Sequence, residues 1–400
     1  MRPTVFARIG RHTAKAVIIG LLAVPAVLSL RALRLPDDPN LTPLPPRPHS
    51  FGELVELPPK VTAWVGDHFG FRTNFIMADN IVRFKLFHEF PTVQVAYGQH
   101  GRYFMAAHAR NAGPYQAMTA VCGKGKATDG TIPYLNKLFT AFHAAGLDPK
   151  LLVVASSPVV YPQDVPRGLV KECSGSDTAA TRVLASPDLL PEARRSILYP
   201  LKEMREIAKN STLFPKTWFH WAGDGLDQVA RLSLTEFWQT PLDQPPLKVY
   251  KHIGDSDLGH MVIGIKLTSE LIEPNFEASG IKPCFGPDCY PEIEGVGRVL
   301  GDISRFHNPN APKRRLLILS DSFGQKASQW YSRYYGEVEH FCTSHAAKLT
   351  PQQVDAMKAY IYRNRADTDI LLLYHDGGAM YDVLRLGTEP ILPSAPAPKA

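Results

Sequence analysis

The stretch that most constrains the fold is Lys313–Gly324, where the aliphatic run Leu316-Leu317-Ile318-Leu319 stops at Ser320-Asp321-Ser322-Phe323-Gly324. A short apolar run, with basic residues before it and a small polar turn after it, fits a strand buried on both faces of a parallel sheet. Residues 325–334 then read as a helix. A hydroxyl on such a strand-to-helix turn stands at the carboxyl end of the sheet, where open α/β folds keep their sites, beside amides able to bind an oxyanion. Ser322 is therefore the nucleophile candidate, although Asp321 and Ser322 in that place equally serve as a helix cap.

Further apolar runs at Leu151–Val154 and Ile370–Tyr374, and a short strand at Glu337–Phe341, alternate with helical patterns. This predicts an α/β fold, a parallel sheet with helices on both faces. Residues 67–90 read as one amphipathic helix, residues 93–105 as a hairpin broken at Gly98 and Gly101, and 131–146 as a helix closed by Gly146. Residues 191–209 read as a helix kinked at Pro200, and 351–363 as a helix capped by Thr350. Residues 240–312, rich in Gly and Pro, read as irregular.

At the N-terminus Arg2, Arg8, Arg11 and Lys15 precede Ala16–Leu30, which is apolar inside except for Gly20, Pro25 and Ser29. A run of about 15 residues is short for a full membrane span of about 20 and long enough for the core of a signal sequence. Residues 1–34 are thus expected to be a signal anchor or signal peptide that exports the chain, and the absence of a clean cleavage site before Arg31 favours an anchor. A proline-rich linker over 35–50, a folded body over 51–385 and a disordered tail over 386–400 follow. The net charge of +6 is scattered rather than clustered, which excludes a nucleic-acid patch of the usual kind.

Five cysteines, Cys122, Cys173, Cys284, Cys289 and Cys342, can be oxidised in an exported protein. Cys284 and Cys289 flank a Gly-Pro turn and read as a disulfide rather than half of a metal site, since no second Cys or His pair is near in sequence. Cys122 with Cys173 is a possible second bridge that leaves Cys342 over. No metal or cofactor is expected.

Acyl transfer from a serine needs a base within hydrogen-bond reach, a group to orient that base, and donors for the oxyanion. His220, after an aromatic segment and before a helix, is the first candidate base, and His375 at the end of the last strand is the second. A histidine among aromatics is also commonly just packed.

Several stretches taken together resemble the alginate O-acetyltransferase family of the AlgX/AlgJ type, whose domain is similar to SGNH hydrolases. They are Asp67-His68-Phe69-Gly70-Phe71-Arg72, the hairpin around Tyr97–Phe104, Val160-Tyr161-Pro162, His220-Trp221-Ala222-Gly223-Asp224-Gly225, Gly254–Met261 and Ser320–Phe323. Their order and spacing match over about residues 51–384. The resemblance implies a three-layer α/β/α domain in the periplasm that moves acetyl onto hydroxyls of an exopolysaccharide, with a membrane-bound O-acyltransferase as acetyl source. It also implies Ser322 as the acylated residue and His220 as the general base.

The family carries Asp two residues before this histidine; here that position is Trp218. Asp224, Asp227 and Asp376 are the alternatives for the orienting carboxylate, with Asp224 the first choice. Tyr161, Trp218, Trp221 and Asp321 are the expected substrate-contacting residues. A second reading makes the chain a catalytically lapsed member that binds polysaccharide or scaffolds a secretion complex, with Tyr161, Trp218, Phe219 and Trp221 as a sugar-stacking platform. A simple esterase is a third.

Overall fold

The structure, a computed structural model, describes residues 13, 15, 17–20, 23, 42–68, 72–240 and 242–393. The N-terminal segment expected to be a signal or anchor falls mostly outside these residues. Among the described residues no helix is long and apolar enough to cross a membrane. The chain divides into two compact units, residues 1–91 with 262–265 and residues 92–261 with 266–400.

In the first unit, helix α1 (Phe51–His68) and helix α2 (Arg72–Val82), which continues into a π-helical turn over Arg83–Phe87, replace the single helix expected over 67–90. The sequence did announce the start of α1. Ser50 Oγ accepts from Glu53 N, and Glu53 Oε2 accepts from His49 N at 2.7 Å, a reciprocal helix start of the capping-box kind. The Pro58–Pro59 pair inside α1, which ordinarily breaks a helix, concealed it.

The second unit is built on a seven-stranded sheet. Its elements in chain order are the hairpin β1 (Val95–Tyr97) and β2 (Tyr103–Met105), helix α3 (Gln116–Val121), helix α4 (Thr131–Ala144), β3 (Pro149–Val154), β4 (Ile197–Leu198) and helix α5 (Leu201–Ile207). They continue with helix α6 (Gly225–Trp238), the antiparallel pair β5 (Val249–Asp255) and β6 (Thr268–Pro274), β7 (Lys282–Phe285), helix α7 (Glu294–Leu300), β8 (Ile303–His307) and β9 (Arg315–Ser320). Helix α8 (Gly324–Tyr331), β10 (Glu337–Cys342), helix α9 (Pro351–Ile361), β11 (Thr368–His375) and helix α10 (Asp382–Thr388) complete it.

The sheet order is β4-β3-β11-β9-β10-β8-β7, parallel from β4 to β10 and antiparallel at β8 and β7. The sheet is thus mostly parallel, with β9 at its centre. Side chains alternate along the strands between two cores: Leu316 and Ile318 join one with Leu152, Val154, Leu371 and Leu373, and Leu317 and Leu319 join the other with Leu151, Val153 and Leu372. Helices α5, α6 and α8 pack on the first core, and α4, α7, α9 and α10 on the second. All six residues of β9 are buried, as a central strand covered on both faces requires.

Arg315, one of the basic residues before the run, is itself the first residue of β9. Its guanidinium binds the fully buried Glu339 of β10, and Arg363 and Tyr360 donate to the same carboxylate. Burial alone would raise that carboxyl, yet its arginine partners hold it below the ordinary value.

Three expectations need correction. The segment 191–209 is two helices, Pro191–Arg195 and α5, with the edge strand β4 between them, because Leu151 and Leu152 offer a free edge to Ile197 and Leu198. The region 240–312 is not irregular but holds β5 through β8. Its Gly and Pro residues sit largely at the turns between short strands. The tail is part of the fold as far as Ile391, which is buried, and Thr388 takes a hydrogen bond with Tyr134 Oη at 2.7 Å. Both expected disulfides form, Cys122–Cys173 and Cys284–Cys289, and Cys342 is free and buried.

Candidate functional site

The turn from β9 to α8 exposes one side chain and ties down its neighbours. Asp321 Oδ1 accepts from Phe323 N at 2.9 Å, and Asp321 Oδ2 accepts from His375 N at 3.0 Å. Trp221 Nε1 donates to the Phe323 carbonyl at 2.6 Å. Gly324 can only be glycine here, since a Cβ would collide with Ser320 Oγ and His340 Nε2. Ser322 is left exposed at the carboxyl end of the central strand, at the positive end of the α8 dipole.

His220 Nε2 lies 2.8 Å from Ser322 Oγ, and His220 Nδ1 lies 2.7 Å from Asp257 Oδ2. Asp257 also accepts from the backbone amides of Phe219 at 2.8 Å and His220 at 2.9 Å. A carboxylate held by two amides and one imidazole is fixed in orientation, and it fixes the tautomer of the histidine it binds. With Nδ1–H directed to Asp257, Nε2 is free to accept the proton of Ser322. The segments that carry His220 and Asp257 are joined beside the site by a bond from Ser256 Oγ to the Thr217 carbonyl.

The carboxylate that meets His220 is thus Asp257 and not Asp224. Asp224 Oδ1 accepts from Thr212 N at 3.0 Å and so braces the loop before α6. Asp227 binds Arg333 and Tyr334 Oη, and Asp376 binds Ser156 and Tyr199 Oη. None of these three meets His220 in a hydrogen bond. Asp257 lies within the Gly254–Met261 motif, but 37 residues separate it from His220. Nothing in the spacing marks it.

A second aspartate–histidine pair stands on the other side of the same turn. His375 Nδ1 is 2.6 Å from Asp321 Oδ2, and its ring stacks on Phe323 at 4.6 Å between centroids. Burial pushes this imidazole down, but the charge and hydrogen bond of Asp321 more than offset it, so His375 titrates above its ordinary value. Asp302 was not anticipated either. Burial pushes its carboxyl up to about 6, against the opposing pull of His220, Gln325 and Lys326.

The expected substrate-contacting residues separate by burial. Trp221 is 1% exposed and serves the serine turn, and Tyr161 is 6% exposed with the Arg102 guanidinium 3.6 Å over its ring, so neither presents a face to a sugar. Asp321 is 2% exposed, with both oxygens engaged by the turn and His375. Trp218 is half-buried, 6.0 Å from the Lys326 ammonium, and remains open to a ligand role.

No protein-family model matches the chain, and no curated protein matches it. Among solved structures it is similar to a DHHW family protein from Eubacterium siraeum (13% identity, TM-score 0.45, covering 64% of this chain and 87% of that one). It is also similar to Bacillus cereus PatB1 with a sulfonyl adduct (15%, TM-score 0.42, 65% and 91%) and to the O-acetyltransferase domain of Pseudomonas putida AlgJ (12%, TM-score 0.38, 72% and 92%). At these scores the likeness assigns no role to any residue, and the site stands on its own geometry.

Proposed function

We propose that the chain is an O-acyltransferase that moves an acetyl group onto hydroxyls of an exopolysaccharide, with Ser322 as nucleophile, His220 as general base and Asp257 as the carboxylate that orients it. One observation carries this reading: an unbroken hydrogen-bonded chain from an exposed strand-end serine through a half-exposed imidazole to an anchored carboxylate. Packing alone does not call for such a chain.

In the first half-reaction Ser322 Oγ attacks the carbonyl carbon of the donor ester as its proton passes to His220 Nε2. The donor's alcohol leaves with that proton, and the acyl group stays on Ser322. In the second, an acceptor hydroxyl gives its proton to His220 and attacks the acyl carbonyl, and the serine oxygen departs and recovers the proton.

Two disulfides support an oxidising compartment such as the periplasm. The acetyl source is proposed to be a membrane-bound O-acyltransferase, and co-purification of the full chain without one would count against that partner. The binding-protein alternative needed an aromatic platform, and burial of Tyr161 and Trp221 removes half of it.

The test is to incubate the full chain with an activated acetyl ester and measure intact mass beside Ser322→Ala and His220→Ala. A single acetyl adduct on the parent, absent from both variants, is expected. A folded parent that neither labels nor turns over the ester sinks the reading.

A further inference from the structure

Ser322 lines a cavity of about 500 Å³ to which His220 does not contribute. Phe219 lines the same cavity and turns its ring edge-on to His220, with centroids 4.9 Å apart. The two reacting partners of a serine acyltransferase are divided by the base. His220 returns its proton to the leaving group and later takes one from the acceptor, so both of these must lie against His220. The acyl group takes the other direction from Ser322 Oγ, and that is where the cavity opens.

The interior suits a hydrocarbon. Ala117, Val121 and Pro158 form buried wall, and Ala120, Val383 and Phe219 are half-buried against it. Of the buried polar groups there, Ser156 donates to Asp376 from both its amide and its hydroxyl, and Asp321 accepts from His375 and Phe323; Ser157 and the His375 ring add two further polar groups to the lining. His108, Gln116 and Ser344, which also line the cavity, are exposed residues and belong to its solvent side. A water fills about 30 Å³, so the space holds on the order of a dozen heavy atoms, whereas an acetyl methyl is one.

We infer that this cavity is an acyl-chain pocket and that the ester carried by Ser322 extends beyond acetyl, to chains of about four to eight carbons. The inference rests on the acyl-transfer reading above and widens its donor. The acceptor approaches from the His220 side and does not compete for the pocket.

The test uses the full chain and a series of p-nitrophenyl esters from acetate to octanoate, with kcat/KM measured and Ser322 acylation followed by intact mass. Each methylene that enters the pocket raises kcat/KM by up to about fourfold. A rise of at least about tenfold from acetate to the best longer ester is expected on that basis. Ala120→Phe, which fills the wall, and Leu386→Trp, which crowds the exposed edge of the lining, should each lower the octanoate-to-acetate ratio by at least about fivefold. Leu386 is a surface position, so L386W carries the test if A120F does not fold. A flat or falling series in the parent, or a ratio unmoved in a folded variant, overturns the pocket. Labelling by acetate but by no longer ester removes the pocket and leaves the acyl-transfer reading intact. No adduct from any ester removes both.

Discussion

Two aspartate–histidine pairs flank one serine turn; each aspartate accepts from two backbone amides and one imidazole, and the pairs differ in exposure and in whether Ser322 meets the second ring nitrogen. His220 is 30% exposed and Asp257 20%, and the second ring nitrogen of His220 meets Ser322. His375 is 12% exposed and Asp321 3%, and Asp321 also accepts from two backbone amides of the turn and the last strand. The first pair is therefore placed to move a proton, and the second to hold β9, β11 and the turn between β9 and α8 together. An Asp–His hydrogen bond does not by itself mark catalysis. The neighbour of the other nitrogen decides.

Removing the serine or its base should separate the pairs most sharply. Ser322→Ala and His220→Ala are expected to lower ester turnover by about 10³-fold or more with the melting temperature nearly unchanged. Steady-state kinetics beside thermal melts checks both halves of that statement. Asp321→Asn or His375→Ala should do the reverse. Each breaks a buried, charge-assisted contact and should cost about 3 kcal/mol of stability, while turnover per folded molecule falls less than about tenfold. If either variant instead abolished turnover without loss of stability, the two pairs would have to exchange roles.

The second pair should also write itself into the pH dependence of stability. His375 titrates above its ordinary value in the folded protein, so the stabilisation tied to its proton is complete below the unfolded value of about 6.5. It is lost as pH rises through the elevated folded value. Denaturant midpoints of the parent and His375→Ala should therefore lie furthest apart in mild acid and converge at alkaline pH. A gap that widens with pH would reverse the assigned sign. The smallest effect belongs to Asp224→Asn, which weakens one hydrogen bond to Thr212 and should cost about 1 kcal/mol without changing turnover.

The central sheet was legible because β3, β9 and β11 carry continuous aliphatic runs that only a sheet covered on both faces can bury. Ser322 and His220, which the structure brings within 2.8 Å of each other, could be singled out for a related reason: each sits where a regular pattern stops. Asp257 was passed over although it lies within the Gly254–Met261 motif, because the contact that makes it important closes a loop of 37 residues and nothing in the spacing ties it to His220. The strands β5 to β8 were missed because their Gly and Pro content resembles that of loops when the pairing partner is unknown. Tyr161 and Trp221 were misread because an aromatic cluster looks the same in sequence whether it faces a groove or the core.

The most direct measurement is the single-turnover rate of Ser322 acylation in Asp257→Asn against the parent, read by rapid quench and intact mass. We expect the variant to fold, to label at the same serine, and to do so about 10²- to 10⁴-fold more slowly, because the imidazole then loses the carboxylate that sets its tautomer. Acylation at the parental rate in a folded Asp257→Asn protein would contradict the assignment of Ser322, His220 and Asp257 as one catalytic unit.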